Sequence, residues 1–204
     1  MLTNPPSPPI IADMGNTRAV QTVLHSDELA YTGHQLRSHW IYETFGVQGD
    51  AIVAFRGPCR VALSEMVDRA DVLAGEDIRA AEMLHLIAEH FDRDLTRAVL
   101  RQRLLICMIA ERLTWAREAP IPRREGDDLY IGPRKLSVSI ATVSPVSTLI
   151  HVGVNVDSSG APVDAVGLGE FGIDVEALAA DLLEAYAAEA EEIYLATCKV
   201  RGVQ

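Results

Sequence analysis

Cysteine and positive charge are scarce in this chain of 204 residues, and each shortage removes a class of function. The three cysteines, Cys59, Cys107 and Cys198, stand far apart with no CxxC pair among them. That argues against a disulfide scaffold or a structural zinc site, and agrees with a cytoplasmic location. Lysine and arginine number 18 against 29 aspartates and glutamates, a formal charge of −11. A protein that neutralises phosphates along a duplex needs the opposite balance, so nucleic acid is not expected as a partner; a local basic pocket for one phosphate or carboxylate remains compatible. No run approaches the ~18 apolar residues that would span a bilayer. Met1 to Thr17 has neither the basic nor the apolar region of a signal peptide. GxxxxGK[ST], GxSxG and HExxH are all missing, so no P-loop, serine-hydrolase or zincin site is signalled.

What is present is the composition of an ordinary globular domain, 49% hydrophobic and 23% charged. Pro5, Pro6, Pro8 and Pro9 predict a disordered tail over residues 1–17, followed by one domain over 18–204. Arg18 to His25 reads as a first strand, Gly33 to Phe45 as a helix capped by Thr32, Ala51 to Phe55 as a buried strand, and Val61 to Val67 as another strand. Ile78, Ala81, Met83 or Leu84, and Ile87 recur at helical spacing and predict a helix from Asp77 to about Phe91. A second helix is expected from Asp94 to about Trp115, apolar on most sides, and a last one from Asp174 to about Cys198. Between them the period falls to two: Asp128 to Ile131, Lys135 to Thr142 and Thr148 to Asp157 read as an antiparallel meander. The fold class is α+β, a mixed or antiparallel sheet covered by helices.

The residues from Arg123 to Ser139 hold the most information. Arg123, Arg124, Arg134 and Lys135 lie within a short span, with Asp127 and Asp128 between them, and a hairpin folds the cationic ends together. Strand alternation puts Lys135, Ser137 and Ser139 on one side. In the next strand His151, Gly153, Asn155 and Asp157 share a side, and the two polar sides are expected to be one face of paired strands. A glycine there permits close approach of a ligand. The bland alternative is a sheet face open to water. His85 and His90, five apart on the expected helix, are wrong for a shared metal, as are His34 and His39; all four read as exposed or satisfied residues.

This segment resembles the catalytic core of the biotin protein ligases, lipoate ligases and octanoyltransferases. Their pattern is a short acidic-apolar strand, a turn ending Gly-x-Lys-(Ile/Leu), small residues, then a strand ending Gly-x-apolar-Asn-apolar. Here stand Asp127-Asp128-Leu129, then Gly132-Pro133-Arg134-Lys135-Leu136-Ser137, then Gly153-Val154-Asn155-Val156. The octanoyltransferases have a histidine just before the last glycine, and His151 is near it. Their earlier His-Gly-Pro-Gly turn has a counterpart in Arg56-Gly57-Pro58-Cys59. More closely, the whole chain is similar to a prokaryotic family known as domain of unknown function three-six-six. The matching stretches are Ser38-His39-Trp40-Ile41-Tyr42, Phe45-Gly46, Ala54 to Cys59, Gly126 to Tyr130, and Arg134 to Ala141.

The resemblance implies a ligase-like core of the class II aminoacyl-tRNA synthetase type. It implies an enzyme that transfers or activates an acyl group, with Lys135 at the acyl carbonyl or the phosphate of an acyl-adenylate. Arg56, Arg124 and Arg134 would clamp a phosphate or carboxylate. His151 and Asn155 would orient the substrate, with Gly57, Gly153, Ser137 and Ser139 lining the pocket. Asp128 would order the lysine or a magnesium ion, and Cys59, flanked by Arg56 and Arg60, is the candidate nucleophile. ATP with Mg²⁺, or an acyl-adenylate, is the implied cofactor; a small carboxylate or acyl compound is the implied ligand, and a second copy of the chain could join it as a homodimer. Two departures stand out: the glycine-rich, arginine-bearing loop of the ligases is missing, and position 127 is Asp where they have Asn. A protein that kept the pocket without the chemistry is the alternative reading.

Overall fold

The computed structural model describes residues 20–75, 77–116 and 120–203, and the expected proline-rich tail lies outside them. The main sheet has five strands in the order β1 (Gln21–Leu24), β2 (Ala51–Val61), β3 (Ile78–His90), β8 (Thr148–Asp157), β7 (Ser137–Val143). Only β1 and β2 run parallel; the other neighbours are antiparallel. Three short strands, β4 (Arg123–Glu125), β5 (Asp128–Ile131) and β6 (Arg134–Lys135), make a second small sheet. The class is therefore α+β with a mixed sheet.

Two long helices cover one face of the main sheet: α3 (Leu95–Trp115) against β7 and β8, and α4 (Val175–Cys198) against β1 and β2. Each opens on an aspartate that accepts from the first turn's backbone, Asp94 from Arg97 N and Asp174 from Glu176 N and Ala177 N, satisfying N–H groups that have no partner inside the helix. The core beneath them is aliphatic and includes Ile52, Leu84, Leu86, Ile150, Val152 and Val154 from the sheet. A hydrogen-bonded chain ties α4 down: Asp50 Oδ2 to His90 Nδ1 at 3.0 Å, then His90 Nε2 to the Tyr186 hydroxyl at 2.8 Å.

The other face carries a smaller core of Tyr31, Trp40, Ile41, Val53, Phe55 and Ile87. Here the elements differ from the sequence reading. Asp77 to Phe91 is not a helix but β3, thirteen residues long and buried on both faces from Met83 onward. The helix expected over Gly33 to Phe45 shrinks to α1 (Trp40–Phe45), because His39 sits at φ 65°, a left-handed conformation that ends helix propagation backwards. The buried Glu89 carboxylate holds that turn, accepting from His39 N at 2.9 and 3.0 Å and from the Ser147 hydroxyl at 2.6 Å. The strand expected to stop at Phe55 runs through Gly57-Pro58, with a bulge between Gly57 and Cys59, to Val61. Beyond it comes a 3-10 turn, Leu63–Glu65, and a short helix, α2 (Arg69–Ala74), instead of a strand to Val67. The strand expected from Lys135 to Thr142 is broken at Leu136, which separates β6 from β7.

Candidate functional site

On the face away from α3 and α4 lies a cavity of about 450 Å³, walled by residues 61–68, 75 and 77–83 on one side, by β7 and β8 beneath, and by the 161–165 segment and the β5–β6 hairpin on the other. Of the expected site residues, Lys135, Asp128, Ser139, His151 and Asn155 line it.

Lys135 is the best anchored of these. Its ammonium lies 2.9 Å from an Asp128 carboxylate oxygen, and both side chains are about three-quarters buried. Its backbone is fixed on both sides: Lys135 N donates to Asp164 O at 2.9 Å, while Val166 N and Asn155 Nδ2 donate to Lys135 O at 3.0 and 3.2 Å. Asn155 N also donates to Leu136 O. The asparagine therefore staples the break between β6 and β7, which turns Lys135 into the cavity while β7 continues in the main sheet.

The register separates residues that strand alternation alone had put together. Ser137 pairs with Val154 and Ser139 with Val152, so the two serines lie on the helix-covered face, opposite to His151 and Gly153. Ser137 is fully buried, and its Oγ accepts from Leu129 N at 2.9 Å. Ser139 Oγ donates to Asp127 O at 3.0 Å and accepts from Gln102 Nε2 at 2.7 Å; Gln102 also donates to Asp127 Oδ2 at 2.9 Å. These serines bind the hairpin to α3, and only Ser139 reaches the cavity edge. The shared polar face expected from the sequence is corrected accordingly.

The floor of the cavity is a stack of rings. His151 lies 3.8 Å from the Tyr31 ring at an interplanar angle of 10°. His151 Nε2 is 3.1 Å from His85 Nδ1, and His85 Nε2 is 3.2 Å from Gly57 O. His85 pairs with Gly153 across the strands, and the missing side chain there makes room: a Cβ on Gly153 would come 2.8 Å from the Met83 methyl and 3.4 Å from His151. Burial holds both imidazoles neutral. His85 falls to about 3 despite its bond to the Gly57 carbonyl, and His151 falls well below its ordinary value, first through burial and then through His85. His85, expected to be an unremarkable helix residue, is fully buried beneath this floor against His151, and Tyr31 is part of the floor. Neither carried a sequence signal, since both depend on long-range strand pairing.

The remaining expected residues lie elsewhere. Arg56 is exposed and tied to Glu82, Arg134 to Glu170, and Arg124 donates to Gly126 O. Gly57 fits against backbone, with Leu29 O only 2.2 Å from where a Cβ would stand. Cys59 is buried, and burial pushes its thiol up to about 12, the reverse of what a nucleophilic thiolate requires. Its expected role as nucleophile is therefore set aside. Cys107 and Cys198 are exposed and free. Among the described residues no group of three or more His, Cys, Asp and Glu could hold a metal ion, and no helix is long and apolar enough to cross a membrane.

This arrangement is similar to several solved structures. A protein of unknown function from Pyrococcus horikoshi is 41% identical, covering 91% of this chain and all of that one, with a TM-score of 0.86. Biotin protein ligase from Aquifex aeolicus in complex with biotin and ATP shares the fold at 15% identity and a TM-score of 0.53, over 83% of this chain and 70% of that one. A lipoate protein ligase homologue from T. acidophilum with bound lipoic acid does so at 10% identity and 0.51, over 85% and 86%. In sequence, an uncharacterised protein of Methanocaldococcus jannaschii is 37% identical over 185 residues, 87% of this chain and 83% of that protein. With the sequence profile of the family described as domain of unknown function (DUF366) matching residues 20–201, the chain belongs to that family, on a fold shared with the biotin and lipoate ligases.

Proposed function

We propose that the cavity binds a small carboxylic acid or its acyl derivative, and that the chain transfers or activates that acyl group with Lys135 at the carbonyl oxygen or the phosphate of an acyl-adenylate. The observation that carries this reading is the placement of Lys135: a cation in a cavity wall, with its carbonyl and amide both fixed and Asp128 orienting its ammonium. A preorganised ammonium in a partly dehydrated wall stabilises negative charge as it develops on an acyl oxygen, and needs no rearrangement to do so. The biotin and lipoic acid bound by the ligase-fold neighbours are carboxylic acids of the size this cavity accommodates.

A second reading, a binding protein without chemistry, is favoured by the charge of the lining. Glu65, Asp68, Asp77, Asp127 and Asp128 face only Arg79 and Lys135 among the described lining residues. Arg56, Arg124 and Arg134 are engaged outside the cavity. These residues do not fit a triphosphate, which asks for several converging cations or a cradle of backbone N–H groups. An acyl-adenylate, with a single phosphodiester charge, asks for one cation.

The test is native mass spectrometry with thermal shift against biotin, lipoate, octanoate, their acyl thioesters and acyl-adenylates, and ATP with Mg²⁺, with Lys135→Ala alongside. A bound acyl compound at about 100 times its Kd stabilises by ~2.7 kcal/mol, and the expected result is that this vanishes in the variant. Binding that persists in Lys135→Ala removes the lysine from the role; binding without turnover selects the second reading.

A further inference from the structure

The pair of histidines at the floor does more than fill space. A carbonyl oxygen only accepts hydrogen bonds, so His85 Nε2, 3.2 Å from Gly57 O, carries the proton. His85 Nδ1 is then a lone pair, and His151 Nε2, 3.1 Å away, must be the donor to it. The proton on His151 is thus placed on Nε2, and its Nδ1 is left as an acceptor. Among the described residues no hydrogen-bond partner meets Nδ1, yet no buried side-chain nitrogen or oxygen lacks a partner, so this atom is open to the cavity that His151 lines. His151 itself is only 3% exposed. Its surroundings are Tyr31, Met83, Val138 and Ile140, which penalise a charged group.

We infer that His151 Nδ1 is a preset hydrogen-bond acceptor for an uncharged N–H or O–H donor at the buried end of the ligand, with His85 as the positioning residue that fixes the tautomer. The site therefore selects a ligand that presents an N–H or O–H donor there over one that presents hydrocarbon or sulfur. Along β8, His151 is four residues from Asn155, the residue that staples Lys135, a separation of ~13 Å at the usual strand rise. The assignment of the ligand's other end to Lys135 rests on the proposed function; the acceptor at His151 does not. An apolar end seated here leaves a buried lone pair unmet, and sites built around such a bond discriminate strongly against analogues that lack it.

The experiment uses fragments without a carboxylate, so that it is independent of Lys135. The probes are 2-imidazolidinone, which has two N–H donors, and 1,3-dimethyl-2-imidazolidinone, which has the same carbonyl and none. Long-range ¹H–¹⁵N spectra of the ¹⁵N-histidine-labelled full chain report both the tautomer and the occupancy of Nδ1. The expected result is an unprotonated Nδ1 on His151 in the free protein, moved upfield by 2-imidazolidinone. Binding of this probe should exceed that of the dimethyl compound about tenfold or more, a preference lost in His151→Leu. In His85→Leu the Nδ1 signal should shift toward a tautomer mixture. A proton on Nδ1 in the free protein, equal binding of the two fragments, or no response at Nδ1 to either overturns the inference. Donor preference with no carboxylate binding in the Lys135 experiment sustains this inference and removes that reading; the reverse pattern does the opposite.

Discussion

Two neutral, buried histidines make the stability of the fold depend on pH in a window where few carboxylates titrate. In the unfolded chain each imidazole titrates near ~6.5. In the folded chain burial lowers His85 to about 3 and lowers His151 well below its ordinary value. Above the unfolded pKa neither state binds the proton, and the full stability is present. Below it the unfolded state takes up protons that the folded state refuses, and stability is lost as pH falls toward the folded pKa. Each refused proton costs ~1.36 kcal/mol per pH unit, so between pH ~6.5 and ~5.0 His85 alone removes about 2 kcal/mol. His151 acts in the same direction. For a chain of this size that is a fall in Tm of roughly 4–8 °C. Tyr31 in the floor and Cys59 beside it are both raised by burial, so they stay neutral across the window and do not contribute. Urea unfolding followed by circular dichroism at neutral pH and at pH ~5 measures the loss in the wild-type chain and in a His85→Leu, His151→Leu double variant. The wild-type-minus-variant difference is expected to shrink by about 2 kcal/mol or more on acidification. A difference that stays constant within ~0.5 kcal/mol would refute the linkage and with it the neutral-pair geometry.

Other perturbations have outcomes of their own. Gly57→Ala drives a methyl into the Leu29 carbonyl, whose segment is held by Leu29 N to Arg56 O and Tyr31 N to Pro58 O; the expected cost is about 3 kcal/mol in urea unfolding. Gly153→Ala meets most closely the methyl and sulfur of Met83, at 2.8 and 3.3 Å, the free end of a flexible side chain, and should cost ~1 kcal/mol in the same assay. Tyr186→Phe leaves His90 Nε2 buried without its 2.8 Å partner and should destabilise by ~1–3 kcal/mol, with hydrogen exchange faster in α4 than in α3. Asp174→Ala removes the α4 cap and should cost ~1 kcal/mol, with Gly at that position recovering most of it.

The elements that were legible in the sequence are those whose ends carry chemistry of their own. α3 and α4 begin at Asp94 and Asp174, whose carboxylates cap them, and β8 alternates because its two faces have different neighbours. β3 failed for a physical reason. From Met83 to His90 it is buried on both faces, between the aliphatic core under the helices and the smaller aromatic one, so its sequence has no period of two. Its alanines, leucines and glutamates also favour helix locally, and tertiary burial overrode that preference. Misreading this one element hid His85 and His90, because a helix would have pointed them outward and a central strand buries both.

The candidate site was legible where it is local and illegible where it depends on which distant chain lies alongside. The hairpin, Lys135, Asp128 and Asn155 occur within a short span whose turn residues and charges announce themselves, and they do line one cavity. The face of the serines was inverted by a single residue. Leu136 bonds through its N–H to Leu129 O and through its carbonyl to Asn155 N, which ends one sheet and starts another between Lys135 and Ser137. Alternation counted across such a break changes side, because a shift of one residue moves every later side chain to the opposite face. The arginines fail for the same reason at longer range. Arg56 and Arg134 read as free clamps only until Glu82 and Glu170, 26 and 36 residues further on, are brought beside them. A cavity with more carboxylates than cations and a preset acceptor in its floor therefore follows from the pairing of strands, which no local pattern in the chain encodes.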